Sequence, residues 1–380
     1  MNLIKEASPV KITRVEAMVL TCHLEKPIMD ATYTLPHRSA VLVKIETDEG
    51  LSGVGEAAYF GGPPVITKMI IEKELQEYLV GEDPLNIERL WEKMYQRSIK
   101  HGRRGAIIAS MSGIDIALWD IKAKAAKMPL YQLLGGCYEQ IRAYASAGFY
   151  AEGKGLKELA DEMASYVKEG FTAVKMKIGR NQSEDVARVK AVREAIGDNI
   201  DLLVDGNNAY TSYQAIKIAR KMEEYDIFWF EEPVPAEDIE GSAQVAAAID
   251  TPLAAGENEF TRYGFRDLII NKAIDIAQPD ATWCGGITEA RKIAAMASAW
   301  NIICVPHSFS SAISLVANLH FSASIPNSLF QEFDRNYNPL RENLLQEPIT
   351  INKDGYIDLP AKPGLGIELN ESVVKQYRVD

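Results

Sequence analysis

Asp205, Glu231 and Glu257 stand 26 residues apart, each closing an apolar run (LLVD, FWFE, LAAGE). Lys177 lies 28 residues before the first, and Asp280, His307 and Glu332 follow the last at intervals of 23, 27 and 25. Roughly 25–30 residues make one strand, loop and helix of an α/β barrel, so this period returns the chain to one rim with every unit. Barrel enzymes keep their chemistry on that rim. Three carboxylates meeting there repel one another unless a cation holds them, and three hard oxygen donors suit Mg²⁺. A single acid at such a place ordinarily caps the next helix; three at equal spacing favour a metal site.

Lys175 and Lys177, in VKMKIG, are two apart and share one face of a strand, turned toward the same mouth. Each disfavours the charge of the other, so one pKa is expected to fall and that lysine to act as a general base. Asp280 and His307 close the sixth and seventh apolar runs, and a carboxylate that orients an imidazole makes a proton-transfer unit. His23 and His320 read instead as core histidines with backbone partners. Glu332, on the eighth strand, is expected to exchange a hydrogen bond with substrate. A carboxylate substrate chelating the metal would show one face of its α-carbon to Lys177 and the other to His307. Such a site removes a proton α to a carboxylate, and the resulting dianion would be held by the metal and by Lys175 or Glu332.

The elements that must position these groups follow from periodicity. Residues 10–60 read as antiparallel β structure: Val41, Val43 and Ile45 alternate with Leu42, Lys44 and Glu46, and TDEG turns the chain into LSGVGEA. From about 64 to 134 the pattern is helical; Ile114, Ala117, Leu118 and Ile121 mark one buried face, and Gly135-Gly136 the expected stop. From about 141 eight strand candidates (IRAYASA, TAVKMKIG, IDLLVDG, DIFWFEEP, TPLAAGE, AIDIAQPD, IICVPHS, SLFQEF) alternate with helical segments. Seven clear helices against eight strands indicate a TIM-type barrel in modified (β/α)7β form. The expected organisation is an α+β capping domain at 1–137, the barrel at 138–338, and a C-terminal segment at 339–380 that returns to the cap.

Composition narrows the class. A net charge of −12, with KHGRRG at 100–105 as the one short basic stretch, argues against nucleic-acid binding. Cys22, Cys137, Cys284 and Cys304 form no paired motif and read as reduced thiols. The N-terminal residues lack a signal-peptide core, and no apolar run reaches the roughly 18–20 residues of a membrane span. A cytoplasmic, soluble homo-oligomer acting on a small carboxylate is expected, with no membrane or nucleic-acid partner.

These residues, with GIDIALWDIKAKA…LYQLLGG, FEEP, GEN and PD…CGGI, resemble the enolase superfamily, in particular its mandelate racemase subgroup, over nearly the whole chain. The resemblance implies metal ligands at Asp205, Glu231 and Glu257, a base at Lys177 within the motif Lys175-Met176-Lys177, a dyad of His307 and Asp280, and a barrel-end Glu332. It also implies a polar substrate contact at Asn207. Relatives that are muconate cycloisomerases or dipeptide epimerases carry a lysine on strand six; AIDIAQPD has none, which disfavours those chemistries. Some acid-sugar dehydratases carry a histidine where Asn207 stands. The cap segment DATYTLPHR offers Asp30, Thr32, Thr34, His37 and Arg38, a surface suited to a polyhydroxylated chain, with Tyr59 and Phe60 as a lid. The reaction expected is dehydration of an aldonate or aldarate to a 2-keto-3-deoxy acid; the alternative is a racemase or epimerase of an α-hydroxy acid. A non-catalytic barrel that senses a metal or an acid would be expected to lack Lys177 or His307, and both are present.

Overall fold

The computed structural model describes residues 10–380. It opens with a three-stranded antiparallel sheet, β1 (Ile12–Met29), β2 (Thr34–Thr47) and β3 (Ser52–Ala57), in that order. Gly50, with φ of 79°, takes the tight turn before β3 that a side chain would strain. Helices α1 (Val65–Lys73), α2 (Ile87–Ser98), α3 (Ala106–Ala125) and α4 (Leu130–Leu133) complete this unit. Helix α3 lies directly on β3. A Cβ on Gly53 or Gly55 would come within 2.1 Å of the α3 carbonyl oxygens of Ala117 or Gly113, so glycine is what lets the two backbones meet.

Residues Ile107 to Ile121 are all buried, so α3 has no solvent face for a 3, 4 pattern to contrast with. Ile114, Ala117, Leu118 and Ile121 are buried in this helix as expected, but its stop needs correction. It ends at Ala125 rather than at the Gly135-Gly136 pair. Lys127 turns left-handed with φ of 54°, and Pro129 bars a helical residue before it. The two glycines close the short α4 instead.

Eight parallel strands follow: β4 (Gln140–Ser146), β5 (Ala173–Lys177), β6 (Asp201–Asp205), β7 (Ile227–Glu231), β8 (Leu253–Ala255), β9 (Ile276–Ala277), β10 (Ile303–Cys304) and β11 (Gln331–Asp334). Between them run α5 (Leu156–Glu169), α6 (Asp185–Ile196), α7 (Ser212–Met222), α8 (Ile239–Ala248), α9 (Thr261–Ile270), α10 (Gly286–Ala299) and α11 (Ala312–Ala323). The ladder runs β10-β9-β8-β7-β6-β5-β4-β11, and a single parallel bridge from Cys304 to Ser328 joins its ends. This is the expected (β/α)7β barrel. Tyr144, Leu203, Trp229, Val305 and Phe330 fill its interior, with Tyr144, Trp229 and Phe330 meeting edge to face. The site therefore stands on a packed floor.

After α12 (Pro339–Glu342), β12 (Tyr356–Asp358) pairs antiparallel with β4, and α13 (Glu371–Tyr377) leads to a bridge between Arg378 and Leu20 of β1. The cap is tied to the barrel by buried polar bonds. Trp91 Nε1 donates to the Gly285 carbonyl (2.7 Å), Trp119 Nε1 to Thr288 Oγ1 (2.9 Å), and Thr288 Oγ1 to Asp115 Oδ1 (2.6 Å). Glu56 of β3, fully buried, accepts from the hydroxyls of Ser310 and Ser311 and from the backbone N–H of Ser311 and Ser314, clamping the start of α11. Cys22, Cys137, Cys284 and Cys304 are free thiols, and no described helix is long and apolar enough to cross a membrane.

Candidate active site and metal centre

Each strand end delivers the residue that the spacing placed there. Oxygens of Asp205, Glu231 and Glu257 lie within 4.8 Å of one another. Lys175 Nζ donates to Glu231 Oε1 (2.5 Å) and approaches Glu332 Oε1 (2.9 Å), while Lys177 Nζ donates to Asp205 Oδ2 (2.5 Å). On the other side, His307 Nδ1 bonds Asp280 Oδ2 (2.9 Å), and Nε2 lies 3.5 Å from Glu257 Oε2 and 4.0 Å from Glu332 Oε2.

The charges correct one expectation. Neither lysine has a lowered pKa. Burial and the other lysine oppose the charge on Lys177, but Asp205, Glu257 and Glu231 together outweigh them and the pKa rises. Burial likewise opposes Lys175, and Glu231 and Glu332 carry it well above the ordinary range. The carboxylates outnumber the lysines, so each ammonium serves as a counterion. For His307, burial is overcome by Glu257, Glu332 and the Asp280 hydrogen bond, which raise it to about 10 and favour the imidazolium. Lys175 and His307 in turn hold Glu332 well below the usual carboxylate range against its burial.

A cavity of about 260 Å³ opens above this cluster, roofed by the cap. Lys177, Asn207, Glu257, His307 and Glu332 line it, together with Asp30, Thr32, His37, Arg38, Tyr59 and Phe60 from the cap. Thr34, Lys175, Asp205, Glu231 and Asp280 are not in its wall. Asn207 sits left-handed (φ 39°), its N–H donating to Asp205 Oδ1 (2.8 Å) and its Oδ1 buried without a partner. Phe60 leans over the His307 ring at 5.4 Å, as a lid would, whereas the Tyr59 hydroxyl is spent on the Gly62 carbonyl. Phe149 lies under Lys177 (4.8 Å), stacks on Phe309 (5.3 Å), and Phe309 leans toward His307 (6.5 Å). The two proton-transfer groups are thus parted by apolar rings.

Arg38 is less available than a free surface cation. It is 4% exposed, donates Nη2 to Asp334 Oδ2 (2.6 Å), and stacks over Phe309 at 3.9 Å. His23 departs from its expected place: it pairs across the hairpin with His37 and is exposed, because β1 leaves the core before this point. His320 is the core histidine expected, accepting from Tyr131 N–H and bonded to the Leu365 carbonyl.

Several supporting residues were not singled out from the sequence. Trp229 Nε1 (2.9 Å) and Gln278 Nε2 (2.8 Å) both donate to Glu231 Oε2, fixing that carboxylate. Asp280 Oδ1 accepts from Thr282 N–H (2.8 Å), the Thr282 hydroxyl (2.6 Å) and Asn318 Nδ2 (3.0 Å). A signal existed for two of them: Trp229 and Gln278 stand two before Glu231 and Asp280, so strand alternation turns each pair to one face. Glu232, left-handed at φ 39°, is fixed by the side-chain amides of Asn208 and Asn258.

An α/β barrel whose mouth gathers three carboxylates, two lysines and an imidazole–carboxylate dyad under an α+β cap defines a class of enzyme. Residues 158–373 match the enolase C-terminal domain-like family, and residues 14–135 match the mandelate racemase / muconate lactonizing enzyme N-terminal domain. The chain belongs to the enolase superfamily, in its mandelate racemase-like group. It is 41% identical to an arabinonate dehydratase of Saccharolobus solfataricus, over 89% of this chain and 90% of that one. It is 37% identical to a D-galactarolactone cycloisomerase of Agrobacterium fabrum, covering 97% and 99%. An L-talarate/galactarate dehydratase mutant solved with Mg and L-glucarate superposes with a TM-score of 0.90 at 30% identity, covering 100% and 96%.

Proposed function

We propose that the protein is a Mg²⁺-dependent dehydratase of sugar acids, converting an aldonate or aldarate to a 2-keto-3-deoxy acid. One observation carries the reading: Lys177 and His307 enter one cavity from separate strands, parted by stacked phenylalanines, beside a cluster of three carboxylates. The donor set suits a hard divalent cation, since Glu257 Oε2 and Asn207 Oδ1 are buried oxygens without hydrogen-bond partners. Bound to Asp205, Glu231 and Glu257, the cation would supply Lewis-acid stabilisation of charge developing on the substrate carboxylate, and would draw the carboxylate charge away from the lysines.

Lys177 takes the α-proton at Nζ as the free amine. His307 Nε2–H gives its proton to the β-hydroxyl, which departs with its bonding electrons as water. The enol left behind tautomerises to the 2-keto acid. Asp280 holds the imidazolium through Nδ1, and Asn318 and Thr282 hold Asp280. Lys175 lies beneath the cavity wall, so its geometry suits steadying Glu231 and Glu332 more than touching substrate. Phe60, Phe149 and Phe309 keep water from the reacting carbons.

A second reading draws on the likeness to the galactarolactone cycloisomerase. If the leaving oxygen belongs to a ring, the same proton removal opens the ring, and an isomer results without loss of water.

The test is a screen of mono- and diacid sugars with Mg²⁺, trapping 2-keto-3-deoxy products with semicarbazide and reading absorbance. A trapped product that has lost one water establishes dehydration. A product of unchanged mass from a lactone favours the second reading. Deuterium entering C2 in D₂O with no keto product would point to epimerisation and sink the proposal.

A further inference from the structure

The metal-side end of the cavity receives the acid's carboxylate, so the rest of the substrate must lie at the cap end. The charges there are unequal. Asp30 contributes a carboxylate whose Oδ1 accepts from the N–H groups of Thr32 (2.7 Å) and Tyr33 (2.6 Å) and from the Thr32 hydroxyl (3.3 Å). Its Oδ2 has no hydrogen-bond partner among the described residues. Arg38, the arginine in the wall among the described residues, is ion-paired: its Nη2 bonds Asp334 Oδ2 at 2.6 Å, Asp334 is itself held by the N–H and side-chain amide of Asn336, and Nη1 is buried without a partner. Arg180, the neighbouring cation outside the wall, spends Nη1 on the Asp30 carbonyl oxygen (3.0 Å). The other polar groups here, Thr32, Ser39 and His37, can exchange hydrogen bonds with hydroxyls in either sense.

We propose that the acid accepted is an aldonate, a mono-acid with an uncharged hydroxylated tail, and that Asp30 determines this choice. The proposal rests on the dehydratase reading for its substrate class. Asp30 Oδ2 accepts from a tail hydroxyl, and the same oxygen repels the second carboxylate of an aldarate. Among the described residues the cations near the cap end are Arg38, ion-paired with Asp334, and Arg180, outside the wall, whereas Asp30 has no ion pair and meets a second carboxylate with its charge unpaired.

The experiment uses the full chain with Mg²⁺ and matched pairs: gluconate with glucarate, galactonate with galactarate, xylonate with xylarate. For whichever sugar configuration is turned over, kcat/KM for the aldonate should exceed that for its aldarate by roughly 30-fold, the order expected for one like-charge contact in a half-buried site. Asp30→Asn keeps Oδ1 for the turn and removes the charge; it should narrow the ratio about tenfold, chiefly through a lower KM for the aldarate. Asp30→Ser, which also removes the charge, guards against a folding failure of the first variant. Equal or greater turnover of the aldarate by the wild type overturns the proposal, as does an unchanged ratio in a variant that keeps its melting temperature. Calorimetric binding of the same pairs separates the two readings. If nothing is dehydrated but the aldonate still binds tighter than the aldarate, the dehydratase reading falls and the Asp30 assignment stands; tighter aldarate binding overturns the assignment whatever the turnover.

Discussion

Replacing Asp280 by asparagine tests the proton-transfer half of the site, because the consequence follows from hydrogen-bond bookkeeping. Asp280 Oδ1 accepts three bonds, from Thr282 N–H, Thr282 Oγ1 and Asn318 Nδ2. In Asp280→Asn the amide oxygen must therefore remain at that position, and the NH₂ falls where Oδ2 now meets His307 Nδ1 at 2.9 Å. Two donors then face each other whenever the ring is an imidazolium. A charge-assisted hydrogen bond contributes about 1.5–3 kcal/mol, so its loss lowers the His307 pKa from about 10 by roughly 1–2 units. The rest of the elevation comes from Glu257 and Glu332; Mg²⁺ on Glu257 would reduce it alike in wild type and variant, so the difference between them stands. Proton donation to the leaving hydroxyl requires the charged ring, so the alkaline limb of kcat/KM should move to lower pH by the same 1–2 units. With the ring's orientation weakened as well, kcat should fall about 10²–10⁴-fold, the range for a lost general acid. Semicarbazide trapping of the keto acid across pH 6–10 measures both, and thermal melting checks the fold. A variant that keeps kcat/KM within threefold of wild type with an unmoved alkaline limb would refute the dyad.

Three further outcomes are expected. Asp205→Asn removes one of three metal carboxylates and the partner of Lys177, and Mg²⁺ affinity by calorimetry should fall at least 10–100-fold, the cost of losing even an outer partner; unchanged affinity would remove Asp205 from the ligand set. Glu56→Ala leaves four buried donors at the start of α11 without an acceptor, and urea melts should show about 3 kcal/mol lost, with kcat falling more than KM rises as the His307 loop loosens. His320 is buried neutral, with its pKa lowered to about 4 by burial, so the unfolded chain binds the proton first as pH falls. That contribution is complete above about pH 6.5 and is lost progressively toward pH 4, about 3 kcal/mol in all; His320→Gln should flatten this part of the urea-midpoint curve, and an identical slope in both proteins would refute it.

What could be read from residues alone was set by how local the cause is. Strand ends recur because one β/α unit has a fixed length, so Lys177, Asp205, Glu231, Glu257, Asp280, His307 and Glu332 reach one rim whatever their contacts. The charge state of that rim was not legible in this way. Lys175 and Lys177 raise each other's cost, as their spacing predicts, yet the outcome depends on carboxylates 28 and 56 residues away that approach to 2.5 Å. The sign of a pKa shift is decided by such distances, and sequence spacing carries none of them.

The same reasoning separates the cap residues into two kinds. DATYTLPHR announces polarity, and polarity alone makes Asp30 and Arg38 look like equal candidates for a substrate contact. Only tertiary pairing distinguishes them. Arg38 finds Asp334, 296 residues away, and with its ring stack on Phe309 becomes part of the joint between cap and barrel. Asp30 spends one oxygen on its own turn and keeps the other. A barrel that shares its metal carboxylates and dyad with relatives acting on different acids must draw its selectivity from the cap, and a charge left unpaired at the cavity wall acts on a substrate more strongly than one already neutralised. The residue to vary first is therefore Asp30, although the sequence gives the positively charged Arg38 the stronger prior claim on an acidic substrate.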